Sequence, residues 1–206
     1  FGNKVIMYLH LHKQKQLIMK EINEFRKRWR IYEAHGLTSP IWREIEGRGE
    51  IYTPLTLVIF HNGNIKEDNI RYYIGKLYQG GFLERSPDNK AFYRANKKAV
   101  EGMQHISRQL GTKLQAQTFL NCLCNGTGRK IFDCLFASPT KSATLSTIYD
   151  YCKADTDSKQ STIRQFVGKF VQVSIAHKNK KAITLNADAL NIIQQIQTYI
   201  NGTNKK

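Results

Sequence analysis

A ten-residue pattern occurs twice in this chain, 93 residues apart. Residues 70–79 read IRYYIGKLYQ and residues 163–172 read IRQFVGKFVQ. Ile70/Ile163, Arg71/Arg164, Gly75/Gly168, Lys76/Lys169 and Gln79/Gln172 are identical, and Tyr73/Phe166, Ile74/Val167 and Leu77/Phe170 keep their character. The correspondence extends outward with short gaps. Upstream, residues 55–59 (LTLVI) match 145–149 (LSTIY). Downstream, 91–93 match 182–184, and Asn96, Ala99, Val100 and Met103 match Asn186, Ala189, Leu190 and Ile193. A duplication that keeps its order over this span constrains the chain to two copies of one supersecondary unit.

Each copy has a physical reading. Ile70, Tyr73, Ile74 and Leu77 fall at i, i+3, i+4 and i+7, the buried stripe of an amphipathic helix, and Ile163, Phe166, Val167 and Phe170 repeat it. Asp68, and Ser158 or Ser161, are expected N-caps. Gly80-Gly81 is expected to stop the first helix, because glycine readily takes the left-handed conformation beyond a helix end. A strand–turn–strand signal follows each helix: 82–85, turn 86–90 and 91–94 in the first copy; 173–176, turn 177–181 and 182–185 in the second. Each hairpin precedes another helix, starting near Asn96 and Asn186. Shorter helices are expected at 53–61 and 144–153, and further ones at 39–46 and 128–137.

Helix, helix, helix, two-stranded hairpin, helix is the order of a winged helix, so the chain resembles a tandem winged-helix protein over about 39–106 and 128–200. The first unit is similar to a MarR-type regulator, with Thr53-Pro54-Leu55 before one helix and Gly81-Phe82-Leu83-Glu84-Arg85-Ser86-Pro87-Asp88 running into the wing. It departs from that family in being followed by a second wing-bearing unit. Two such units in one chain also resemble plasmid replication initiators, though no initiator-specific motif is present. The expected class is therefore mainly α with small β-hairpins (α+β): two winged-helix units in tandem plus an N-terminal helical extension.

The flanks complete the division. Residues 1–38 form the extension, with a strand expected over 4–12 (KVIMYLHLH) and one helix over 13–35. That helix is fitted either to cap the first unit or to make a homodimer contact. Residues 107–127 read as a linker with a short helix at 112–122, and 201–206 as a basic tail. The opening Phe1-Gly2-Asn3 lacks an initiator Met, as in a fragment or a processed chain.

Charge gives the functional direction. The 206 residues carry 32 Lys and Arg against 16 Asp and Glu, a formal net charge of +16. The excess is spread along the chain and is largest over 111–206, with 13 basic and 5 acidic residues. A basic folded body attracts polyanions, and phosphate contacts release condensed counterions. Opposite the apolar stripe of the first repeat lie Asn69, Arg71, Tyr72 and Lys76. Opposite that of the second lie Gln160, Ser161, Arg164, Gln165 and Lys169. In a winged helix the third helix enters the major groove and the wing touches backbone or minor groove, so the resemblance implies DNA contact by these residues. Arg and Lys pair with guanine edges, Asn and Gln with adenine, and all of them also bind phosphate. In the wings, Arg85 and Lys90 are mixed with acids, whereas Lys178, Lys180 and Lys181 form a dense basic tip. Tyr72, Tyr78 and Phe92 are fitted to stack on unpaired bases if exposed, or to fill a core if not.

Catalytic and metal patterns are missing. Gly47-Arg48-Gly49 lacks the downstream Gly-Lys-Ser/Thr of a phosphate loop, and no zinc-protease or nucleophile-elbow motif occurs. Cys122, Cys124, Cys134 and Cys152 contain no C-x-x-C pair, so they read as reduced thiols of an intracellular protein in cytoplasm, nucleoid or nucleus. Asp155 and Asp157 precede a helix, where capping is the simpler role. No apolar run approaches the roughly 20 residues of a membrane span. The sequence therefore points to a non-enzymatic protein without cofactor or metal that binds double-stranded DNA as a transcriptional regulator or replication initiator. A winged-helix protein–protein interaction module and an RNA-binding protein are the alternatives.

Overall fold

The computed structural model describes residues 2–35, 42, 66–90, 92–153 and 159–203, with backbone alone at 2–12, 14 and 15. The expected helices at 39–46 and 53–61, and Asp155, Asp157 and Ser158, lie outside the described residues, apart from the buried Trp42. The chain forms two compact units: a larger one of 1–24 and 106–200, and a smaller one of 25–105 and 201–206. The architecture is mainly helical with small antiparallel sheets.

Helix α1 spans Gly2–His35, its start in the larger unit and its end in the smaller. The strand expected over 4–12 is thus helix. The Tyr8-Leu9-His10-Leu11-His12 alternation imitates a strand, but no Gly or Pro interrupts 3–35. A helix already nucleated gains one hydrogen bond for each residue it adds. In the larger unit Ile18 and Ile22 are buried, and Gln197 donates to the buried Glu21 carboxylate at 2.6 Å. In the smaller unit Phe25 and Trp29 are buried, and Arg28 Nη1 donates to Thr203 Oγ1 at 2.7 Å. Thr203 belongs to a helix, so the expected tail at 201–206 is helical at least to that residue.

The smaller unit continues with α2 (Glu67–Gln79), which buries Ile70, Ile74 and Leu77. Strands β1 (Leu83–Arg85) and β2 (Tyr93–Ala95) pair antiparallel, Leu83 opposite Ala95 and Arg85 opposite Tyr93. Helix α3 (Lys97–Leu110) starts on the Asn96 side chain, which accepts from Ala99 N at 3.2 Å. The residues of α3 in this unit bury Ala99, Val100 and Met103.

In the larger unit α4 (Lys113–Cys124) opens with a reciprocal cap between Thr112 and Gln115 and buries Phe119, Leu120 and Leu123. The stretch expected as a linker is therefore largely packed helix; its apolar side is covered by α5 (Gly126–Ala137), whose Ile131, Phe132 and Leu135 are buried. Asn125 caps α5 through Thr127 N at 3.0 Å. Then come β3 (Ser142–Thr144), α6 (Leu145–Lys153), α7 (Gln160–Gln172), β4 (Ala176–Asn179), β5 (Ala182–Leu185) and α8 (Ala187–Thr203). The sheet order is β3-β5-β4, antiparallel throughout. Ile163, Val167 and Phe170 of α7 and Ile148 and Cys152 of α6 are buried where these helices pack on α5, as are Ile183 and Leu185 of β5; Ile193 and Ile196 of α8 are buried too.

The sequence duplication is repeated bond for bond. Helices α2 and α7 both start at a lysine in extended conformation, Lys66 and Lys159, with no side-chain cap. Asp68 and Ser161 sit inside the first turn, so neither is the N-cap. At the helix ends Gly80 N reaches Lys76 O, Gly81 N reaches Tyr78 O and Phe82 N reaches Leu77 O; Val173, Ser174 and Ile175 bond Lys169, Val171 and Phe170 in the same way, all at 2.8–3.1 Å. Gly81 has φ +76° and Ser174, its counterpart, φ +57°. Asn96 N then reaches Phe82 O, as Asn186 N reaches Ile175 O.

The same bonds correct the second hairpin. Residues 173–175 are consumed by the helix end, so β4 begins at Ala176 and its 177–179 stretch is strand. The turn shrinks to Lys180-Lys181, with Lys180 at φ +53°.

Candidate nucleic-acid interface

Helix α7 shows two faces. Ile163, Val167 and Phe170 are buried, while Gln160, Ser161, Arg164, Gln165 and Gly168 face solvent. Beside it the β4–β5 hairpin projects the two-residue turn Lys180-Lys181, with Lys178 opposite Ile183. Between helix and hairpin lies a groove of about 820 Å³. Its basic lining is Arg164, Lys178, Lys180 and Lys181, and no carboxylate among the described residues lines it. Val167, Val171, Ile183 and Leu145 supply an apolar floor, and Thr144 and Ser146 add hydroxyls at one end. Arg164 and the three lysines have no hydrogen-bond or ion-pair partner among the described residues, so their charge is open to an anion.

Four of the sequence-expected residues thus meet in one place: Arg164, Lys178, Lys180 and Lys181. Gln160, Ser161 and Gln165 stand exposed on α7 outside the groove lining. Lys169 is half-buried with its ammonium 5.1 Å from the centre of the Phe166 ring. Gly168 lines the groove, and a Cβ added there would meet nothing within 4 Å; the same holds at Gly75. Among the described residues, then, neither glycine packs tightly against a neighbouring helix. Sequence reasoning missed Thr144, Ser146 and Val171. The first two depend on β3, a strand too short to show periodicity. Val171 continues the apolar stripe at i+8 and so reads as core, whereas it is 39% exposed and faces the groove.

The smaller unit holds the equivalent surface in a different state. By position, Arg71, Ile74, Gly75 and Tyr78 of α2 stand where Arg164, Val167, Gly168 and Val171 stand on α7. The cross-strand pair Arg85/Tyr93 replaces Lys178/Ile183. Here tyrosines stand at two of those positions. The Tyr78 and Tyr93 rings meet edge to face at 5.8 Å, and the Arg85 guanidinium lies 5.9 and 5.4 Å from their centres. Arg85 Nη1 also donates to Lys90 O at 2.7 Å. Arg71 Nε donates to Glu67 at 2.8 Å, one turn back. Lys76 stands over the Tyr72 ring at 5.4 Å. Asn69 and Lys90 are exposed. The six residues expected here are on the surface, but the cations among them are largely engaged within the unit.

The thiols belong to the packing. Cys122, Cys134 and Cys152 are buried and Cys124 is half-buried, all unbridged. Burial pushes the Cys122 thiol up to about 11 against the pull of the Lys169 ammonium, and raises Cys152 likewise against Lys130. Among the described residues no group of three or more His, Cys, Asp or Glu side chains converges as metal ligands, and no helix is long and apolar enough to cross a membrane. Comparison with protein-family models, with characterised proteins and with solved structures gives no match.

Proposed function

We propose that this chain binds double-stranded DNA, with α7 and the β4–β5 hairpin of the larger unit as the reading helix and wing of a winged helix. The element order α5, β3, α6, α7, β4, β5, α8 and the β3-β5-β4 sheet support that reading. The smaller unit, with α2, β1, β2 and α3 in matching order, is its partial repeat. An exposed helix face suits the major groove, about 12 Å wide. Arg164 is placed to meet a guanine edge or a phosphate, and the hairpin lysines to neutralise the adjacent backbone. The observation that carries the reading is the gathering of four open cations on one groove, with no carboxylate among the described residues that line it.

Titration of a labelled random-sequence duplex by fluorescence anisotropy tests it. Arg164→Ala is expected to weaken binding several-fold, and Lys98→Ala, an exposed change in the smaller unit and not in the groove lining, to leave it unchanged. Equal effects of the two changes would argue against the groove. The apolar floor favours one competing reading, a protein-binding module that holds an acidic segment; it predicts little duplex binding even at low salt. Under the DNA reading the role is that of a transcriptional regulator or a replication initiator. Selected sites beside the protein's own gene indicate the former, and repeated sites at an origin the latter.

A further inference from the structure

We propose that the smaller unit carries a second, different nucleic-acid site, in which Tyr78, Tyr93 and Arg85, with Tyr72 and Lys76 on the same helix, take the unpaired bases of a single strand. This inference stands apart from the duplex reading of the larger unit. It starts from a contrast between two surfaces that share one backbone plan. Where α7 and β5 carry Gln165, Val171 and Ile183, α2 and β2 carry Tyr72, Tyr78 and Tyr93. Tyr78 and Tyr93 adjoin each other, and Tyr72 stands about 120° round the helix from Tyr78, at a position whose α7 counterpart lies outside the groove lining. They are not core residues displaced outward: Tyr72 is 56% and Tyr78 45% exposed.

Exposed rings flanked by cations make a stacking platform. Each base has a π-face, and that face is free only when the base is unpaired and unstacked. Arg85 lies over both Tyr78 and Tyr93, with one nitrogen fixed by Lys90 O. Its other donors have no partner among the described residues, and a guanidinium so held offers a stacking plane and N–H groups for phosphate together. Tyr72 with Lys76 repeats the ring-and-cation pairing six residues earlier on α2, about 9 Å along the helix and about 120° around it. A strand of a few nucleotides spans that separation. A duplex is poorly served, because Tyr78 and Tyr93 stand at the positions of Val171 and Ile183, which line the open groove beside α7, and paired bases present only edges. The shared chemistry is an unpaired base on a phosphodiester strand, from DNA or RNA.

The test uses the full chain and labelled twelve-nucleotide oligo-dT and oligo-rU, read by anisotropy at low salt. Wild type is expected to bind at least one of them, and the tighter of the two names the source. Tyr78→Ala and Tyr72→Ala should each weaken that binding on the order of ten-fold, while Tyr78→Phe, which keeps the ring, retains it. Tyr72 is the more exposed, so its variant keeps the test decisive should Tyr78→Ala fail to fold. A Lys178→Ala/Lys180→Ala/Lys181→Ala variant should bind the single strand as wild type does. The proposal is overturned by absence of single-strand binding, by unchanged binding in both tyrosine variants, or by loss confined to the triple lysine variant, which would mean that the strand lies in the α7 groove.

Discussion

Gly128 and Gly168 sit inside helices of the same unit in opposite circumstances. A Cβ at Gly128 would overlap the Cys122 carbonyl oxygen, where α5 crosses α4, so backbone would have to move. A Cβ at Gly168 would meet nothing. Gly128→Ala should lower stability by about 2 kcal/mol or more, the scale of an overpacked core. Gly168→Ala should raise it by up to about 1 kcal/mol, the cost of glycine relative to alanine within a helix. Urea denaturation of both variants checks the pair, and a shift in the same direction for both would contradict it. The thiols give a second residue-scale expectation. Cys122 stays protonated in the fold to about pH 11, whereas in the unfolded chain it ionises near 9.0. Its contribution is therefore whole below pH 9 and is lost as pH rises towards 11. The stability advantage of wild type over Cys122→Val should shrink across that window. At pH 8, alkylation followed by mass spectrometry should find Cys124 modified first and Cys122, Cys134 and Cys152 protected.

At the level of elements, α2 and α7 are one design used in two ways, and binding measurements should separate them. Arg71 is tied to Glu67, while Arg164 stands open on the groove. Arg164→Ala should cost duplex affinity several-fold and Arg71→Ala less than two-fold, on the scale of about 1 kcal/mol for a lost charged contact. Equal losses would mean that both helices read the duplex. The hairpin turn adds a trade-off. Lys180 holds φ +53°, a conformation that lysine adopts at a cost and asparagine tolerates. Lys180→Asn should therefore gain about 0.5 kcal/mol of stability in thermal denaturation while weakening duplex binding.

What the sequence disclosed at this scale follows from length and repetition. The stripes at Ile70–Leu77 and Ile163–Phe170 marked both helices because each spans two turns with consistent burial. The duplication then carried the hairpins and following helices with it. Four open cations of the groove were legible as the charged side of one helix and a lysine-rich turn. Short elements were not legible. β3 has three residues, and β4 was read three residues early because Val173-Ser174-Ile175 looks like strand but closes a helix. The state of the cations was also hidden: the Arg71–Glu67 spacing is visible in sequence, whereas the Arg85 stack on Tyr78 and Tyr93 needs the hairpin in place.

For the whole molecule, a net charge of +16 guarantees attraction to any polyanion, so binding alone says little. The number of phosphates neutralised is more informative, because log affinity falls against log salt by roughly 0.9 per contact on duplex DNA. Diffuse attraction would be lowered slightly by any lysine removed, wherever it lies. A built groove concentrates the loss in four named side chains. The most direct test is the slope of log affinity against log salt for a random duplex, in wild type and in Lys178→Ala/Lys180→Ala/Lys181→Ala. The groove predicts a wild-type slope of at least about −3.6, reduced in magnitude by about 2.7 in the variant. An unchanged slope in the variant, or no duplex binding by the wild type at low salt, would contradict it.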